Sequence, residues 1–258
     1  MNLFIAPFVN ALFAVYNLVG NFGLAIILVT ILIKVILLPL VMPSLKSAQR
    51  IRELQPKLNK LKERFGKDKQ ALAKAQMELY KVEGVNPMSG CLPQIVQIAV
   101  LLLFFSAFNK VTSFSEGKLP LEQINSYLAQ PLRIDQNFKF DLNFIGSNLL
   151  ETPSKLFSQG FNMGWILPFV LLIGSGALQY WSAKLMMPAP TVDKSIVKET
   201  KDKEDDMMSA MRTQSTYFMP LMTIFIGWSF SLGLLLYWFT TSALMIAQQV
   251  VFNKINKK

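Results

Sequence analysis

GLAIILVTILIKVILLPL, residues Gly23–Leu40, carries one charge in eighteen positions, Lys34. As a helix at about 1.5 Å per residue the stretch is about 27 Å long, close to the ~30 Å hydrocarbon core of a bilayer. It is read as part of a first membrane span over 22–42. A lysine at a span's centre costs about 2.5–3.5 kcal/mol on insertion scales, so Lys34 needs a polar setting. Ser44, where the polar sequence begins, is about ten residues away, or ~15 Å. Thr30 stands at i−4, on the same face. With no Asp or Glu in any span, the available partners are neutral: Gln94 and Gln97 in the next span, Thr240 and Thr241 in the last, backbone carbonyls, or water. A cation facing hydroxyls and amides describes a wet cavity inside a bundle. Other readings stay open. Lys34 can snorkel toward head groups, the two glutamines can serve as helix–helix glue, and Thr240, Thr241 and Ser242 can back-bond within their own helix.

The rest of the chain fits a membrane protein. Of 258 residues 52% are hydrophobic, 20 are Phe and 13 are Met, while only 16% are charged against ~25% in soluble domains. Histidine is absent and Cys91 is the single cysteine. This removes an intramolecular disulfide, His-ligated zinc, and His-dependent triads. No cofactor, metal or catalytic residue is expected, and an enzyme is not.

From Leu3 to Val41 one helix would reach about 58 Å, far beyond a bilayer core. The expected break is Gly20-Asn21-Phe22-Gly23, which leaves 1–21 as an interfacial amphipathic helix with Asn10 and Asn17 on one face. The start is not read as a signal peptide, because no basic residue precedes the apolar run. Residues 44–86 change character, with eleven basic residues and five acidic ones. Leu54, Leu58, Leu61 and Phe65 form one apolar stripe, and Leu72, Ala75, Leu79 and Val82 a second. Asp68 is placed to cap the second helix, so the segment is expected to be a basic helical hairpin.

Residues 91–109 are expected to form the second span, 164–185 the third, 215–229 a short fourth and 233–252 the fifth. Between them, 110–163 reads as an extracytoplasmic segment. Its phenylalanines (Phe114, Phe138, Phe140, Phe144, Phe157, Phe161) suit elements lying on a membrane surface. Residues 186–213, with the run Lys201–Asp206, read as a solvated loop, and 253–258 as a basic tail. Methionines at 186, 187, 207, 208, 211, 219 and 222 flank or enter the fourth span and read as apolar filler. The hairpin, the 186–213 region with Lys184, and the tail hold twenty Lys and Arg; the other side holds five. The positive-inside rule then puts the N-terminus outside and the C-terminus in the cytoplasm. The formal charge of +10 is assigned to topology and anionic lipids, with no specific nucleic acid.

Several motifs coincide: the Gly23–Leu40 run with its buried cation, LQPKLNKLKERF (Leu54–Phe65), GVNPMSGCLPQIVQ (Gly84–Gln97), YFMPLM (Tyr217–Met222), GLLLYW (Gly233–Trp238) and Gln248-Gln249. Over about residues 20–252 the chain resembles the YidC-type membrane protein insertases and their mitochondrial and chloroplast relatives. The resemblance implies an all-α core of five membrane-spanning helices with a cytoplasmic hairpin. It also implies a hydrophilic groove open to cytoplasm and lipid and closed on the outer side. The family's groove cation falls on Lys34, its threonine on Thr30, its glutamine on Gln97 and its last-span aromatics on Tyr237 and Trp238. It implies nascent membrane proteins as substrates and a bacterial plasma membrane location. Implied partners are a Sec-type translocon and a ribosome or signal-recognition machinery docking on the hairpin, for which Arg50, Arg52, Lys57, Lys60, Lys62 and Arg64 are the candidates. The chain departs from the family pattern in three places. Lys34 replaces the usual Arg, which keeps the charge and loses the bidentate fork. Ala99 and the Phe230–Gly233 turn lack prolines common in the family. The short tail is not expected to act as a ribosome-binding extension. The competing expectations are a small anion channel or transporter built on Lys34, and a non-catalytic assembly scaffold built on the hairpin.

Overall fold

A computed structural model of the chain describes residues 2–65, 68–86, 92–158, 160, 163–186 and 213–255. The molecule is an all-α polytopic membrane protein. Its elements are α1 (Asn2–Val19), α2 (Phe22–Glu53), α3 (Gln55–Phe65), α4 (Lys69–Val82), α5 (Leu92–Ser115), α6 (Leu121–Tyr127), β1 (Asn143–Phe144), β2 (Ser147–Asn148), α7 (Pro153–Ser158), α8 (Ile166–Met186), a π-turn at Gln214–Phe218, α9 (Met219–Gly227) and α10 (Leu232–Ile255). Among the described residues, α2, α5, α8 and α10 are long and apolar enough to cross a membrane. Cys91, Phe161, the 187–212 region with its charge run and methionines, and the tail from 256 lie outside the described residues.

Gly20 adopts a positive φ of 69°, and the Asn21 side chain accepts the Leu24 N–H at 3.2 Å to start α2. The helix that follows does not end near residue 42. It runs for 32 residues through Pro39 and Pro43 to Glu53, about 48 Å at ~1.5 Å per residue. The change in composition near Ser44 marks a change of surroundings, not an end of helical backbone: no glycine or side-chain cap follows to stop it. The π-turn has an identifiable cause. Pro220 has no N–H for the carbonyl of Thr216, four residues back. The turn widens, and the Met219 N–H bonds the Gln214 carbonyl five residues back rather than that of Ser215.

The helical hairpin keeps its own small core of Leu54, Leu58, Tyr80 and Val85. Asp68 caps α4 by accepting the Ala71 N–H at 3.0 Å. The expected second stripe is rotated: Tyr80 is buried and Val82 is 78% exposed. An aromatic ring offers more area to a two-helix contact than valine does, so it takes the inner position.

Helix α1 lies against α2 and α5, while α10 packs on α8 and α2, and α9 on α8. Close approach depends on small residues, as expected where apolar surface alone does not drive helix association in lipid. A Cβ at Gly174 would stand 2.7 Å from the Phe239 ring, and one at Gly176 would stand 2.8 Å from Ile224.

One end of the bundle is sealed by the segment between α5 and α8. The first N–H groups of a helix have no partner inside it, and here the segment supplies carbonyls. Phe22 N–H bonds Asp141 O at 3.0 Å, Leu232 N–H bonds Glu151 O at 2.8 Å and Gly233 N–H bonds Leu149 O at 2.9 Å. Phe140 packs edge-on to Phe13 and Tyr16, with centroids 4.9 and 4.8 Å away. Asn10 ties α1 to the same segment. Its Nδ2 donates to Ala6 O at 2.7 Å and Tyr127 O at 2.6 Å, and its Oδ1 accepts the Ala129 N–H at 2.7 Å. Asn10→Ala orphans these groups, at about 1–3 kcal/mol. We expect faster limited proteolysis within residues 120–135; an unchanged cleavage rate would show that Asn10 does not anchor the segment.

Candidate functional site

Three helices converge on Lys34. Helix α2 contributes Lys34, Leu37, Val41 and Leu45 to one face, α5 contributes Gln94 and Gln97, and α10 contributes Met245, Gln248 and Gln249; together they line a cleft of about 90 Å³. At about 30 Å³ per molecule this is room for a few waters. Lys34 Nζ donates to Gln97 Oε1 at 2.7 Å. Gln97 Nε2 in turn donates to the Tyr237 hydroxyl at 3.0 Å. The Tyr237 ring stacks on Phe104, with centroids 4.2 Å apart and planes 15° apart. A chain of hydrogen bonds therefore joins α2, α5 and α10. No carboxylate pairs with Lys34 among the described residues. The ammonium has three donors, and Gln97 occupies one of them. Such a site attracts anionic or hydrogen-bond-accepting groups that enter the cleft.

The other expected groove residues divide. Gln94 lines the cleft beside Gln97. Thr30 is fully buried and donates to the Ile26 carbonyl at 2.6 Å. Thr240 does the same toward Leu236 at 2.7 Å, and Ser242 toward Trp238 at 2.9 Å. These hydroxyls are spent on their own helices. Thr241 is buried one turn beyond Tyr237. Trp238 is half-buried and packs on Phe230, with centroids 5.9 Å apart, so it does not join the hydrogen-bonded chain.

The basic candidates spread over α2 and α3. Arg50, Lys57, Lys60 and Arg64 are exposed, while Arg52 and Lys62 are half-buried. Lys57 pairs with Glu83 across the hairpin, and the Arg64 guanidinium lies 5.2 Å from the Phe65 ring centre. Arg52 also lines a smaller cleft with Leu45, Gln49 and Gln249. Among the described residues no group of His, Cys, Asp or Glu is arranged to hold a metal.

Residues Gln248 and Gln249 entered the sequence reading only as part of a motif, yet both face the cleft. The signal was available: two adjacent amides in an apolar helix, where polar side chains are costly.

Comparison with known proteins gives this geometry a family. The model of the 60Kd inner membrane protein family matches residues 14–258. A membrane protein insertase YidC of Fusobacterium nucleatum is 33% identical over 237 residues, covering 92% of this chain and 88% of the relative. A membrane protein insertase YidC of Rickettsia bellii is 32% identical over 246 residues, covering 94% of this chain, and one of Treponema denticola is 28% identical over 250 residues, again covering 94%. The chain spans only 37% and 36% of the length of these two larger relatives. Spanning the bundle, its sealed end and the Lys34 cleft, the match shows that the chain belongs to the 60Kd inner membrane protein family, that of the YidC membrane protein insertases.

Proposed function

We propose that the protein inserts nascent membrane proteins into the bacterial plasma membrane through the Lys34 cleft, without nucleotide hydrolysis. The observation that carries the proposal is a cation with no carboxylate partner among the described residues, held in a cleft between three helices by the Gln97 amide, which in turn bonds the Tyr237 phenol. The opposite end of the helices, at Phe22 and Leu232, is closed by residues 141–151. A polar substrate tail crossing ~30 Å of hydrocarbon loses its hydration at a cost of several kcal/mol per unpaired group. A wet cleft that reaches part of the way, with an ammonium at its end, replaces some of that hydration and attracts acidic residues. The apolar part of the substrate then partitions into lipid, which drives the reaction. A fourth span no longer than the 215–229 expected from the sequence, about 22 Å as a helix, would thin the bilayer beside it and lower the barrier further.

In this proposal α1 lies on the outer side, the hairpin and C-terminus are cytoplasmic, and the α2–α4 basic surface meets a ribosome or signal-recognition machinery, a Sec-type translocon and anionic lipids. The closed end argues against a two-sided anion pore. The test is insertion of a single-span substrate with a short acidic N-terminal tail into liposomes containing only this protein, with no nucleotide. Protease protection of the tail well above that in empty liposomes is expected. Equal protection in both would overturn the proposal.

A further inference from the structure

Adjacent amides at the C-terminal end of α10 are incompletely satisfied. Gln249 is only 6% exposed, and its Nε2 bonds Ser182 Oγ at 2.8 Å. Its Oε1 has no partner among the described residues, and neither does Gln248 Nε2. Whichever way the Gln249 amide is turned, one edge is tied to α8 and the other is open. Burying an unpaired polar group costs about 1–3 kcal/mol, so such a pair is expected to have an occupant. Both side chains line the same cleft as Lys34, and Gln249 also lines the smaller one that leads to Arg52. Tyr237, at the level of the Lys34 chain, is eleven residues before Gln248 on α10, so the amides lie about 17 Å further along the helix.

An open donor next to an open acceptor matches the peptide group. A segment that is neither helix nor sheet carries an unpaired N–H and C=O at every residue. We propose that Gln248 and Gln249 form a main-chain-binding station for the extended part of a substrate, behind the acidic residue that Lys34 holds. This deepens the insertase reading and rests on it. An extended chain advances about 3.3 Å per residue, so the station contacts the backbone about five residues from that acidic side chain. Recognition of backbone rather than side chains makes the station indifferent to sequence, as a carrier of diverse tails requires.

The test uses a synthetic single-span peptide with an acidic tail, all-amide or with one backbone ester about five residues from the acid. The ester replaces an N–H by oxygen. Unaided, this eases entry into lipid, because one donor fewer must be desolvated. The peptides are offered to liposomes holding wild type, the double variant Gln248→Leu/Gln249→Leu, or Ser182→Ala. Wild type is expected to insert the ester peptide about fivefold more slowly than the all-amide one, the size of one lost hydrogen bond. The double variant should insert the all-amide peptide about fivefold more slowly than wild type and insert the ester peptide at least as fast as the all-amide one. Ser182→Ala breaks the same internal bond but keeps both amides, and should discriminate as wild type does. An ester effect of equal size in wild type and double variant would overturn the proposal. So would a Ser182→Ala protein as impaired as the double variant, which would assign the loss to packing of α8 on α10. Failure of wild type to insert either peptide would instead sink the insertase reading itself.

Discussion

Lys34→Ala is expected to slow insertion of a substrate with an acidic tail by tenfold or more, and Lys34→Glu to slow it further. Lys34→Arg should remain close to wild type. At an effective dielectric of about 20, a carboxylate 4 Å from the ammonium gains about 4 kcal/mol. A third of that is already a factor of about ten. The Gln97 amide that holds Lys34 at 2.7 Å has no net charge to replace it. In Lys34→Glu the same position repels the tail. The companion experiment changes the substrate: a neutral tail should be nearly indifferent to Lys34→Ala. Protease protection in liposomes reads both. Wild-type rates in Lys34→Ala and Lys34→Glu would remove the charge from the mechanism while leaving the rest of the cleft in play.

Gly233→Val should be among the most destabilising single changes in the bundle. Gly233 opens α10, and a Cβ there would collide with the ring of Phe108. Phe108 is 2% exposed, and its ring lies near Phe104 and Phe22, with centroids 6.4 and 6.0 Å away. It has no room to retreat. The Gly233 N–H also bonds Leu149 O at 2.9 Å, so the backbone is held from the other side. Overpacking of this kind costs about 1–3 kcal/mol or more. For a chain of this length that is a fall of several degrees in Tm, at roughly 2–4 °C per kcal/mol. Helical circular dichroism in detergent measures it. Phe108→Leu in the same chain should recover part of the loss, since the two sites share one contact. An unchanged Tm in Gly233→Val would show that the α5–α10 contact is looser than described.

The class of fold was legible because it depends on quantities a sequence states directly: the length of apolar runs and the near absence of charge within them. The ends of helices were less so. Composition near Ser44 announces a polar environment, and α2 ignores it. The π-turn follows from Pro220, but its consequence depends on whether a neighbouring helix allows the wider turn. Within the cleft, the residue types were legible and their pairing was not. Gln94 and Gln97 differ by 300° of rotation about α5, and only packing decides which amide meets Lys34. Thr30 looked equally suited by spacing. Its χ1 turns the hydroxyl to Ile26 O, a local bond that competes with any distant one. Gln248 and Gln249 were missed because their neighbours in space, Leu45 and Ser182, are far away in sequence.

The sealed end has an electrical consequence. Membrane voltage falls only where mobile water and ions are excluded. In the proposed orientation, a wet cleft carries the cytoplasmic potential inward as far as Lys34. The whole drop is then compressed into the plug formed by residues 141–151 and the aromatic rings beneath it. Each elementary charge that crosses is worth about 2.3 kcal/mol per 100 mV. With the cell interior negative, an acidic residue resting at Lys34 has that full electrophoretic pull still ahead of it, over a shortened path. A basic residue meets the same quantity as a barrier. The plug that keeps the bundle from leaking current would thus also sort tails by the sign of their charge.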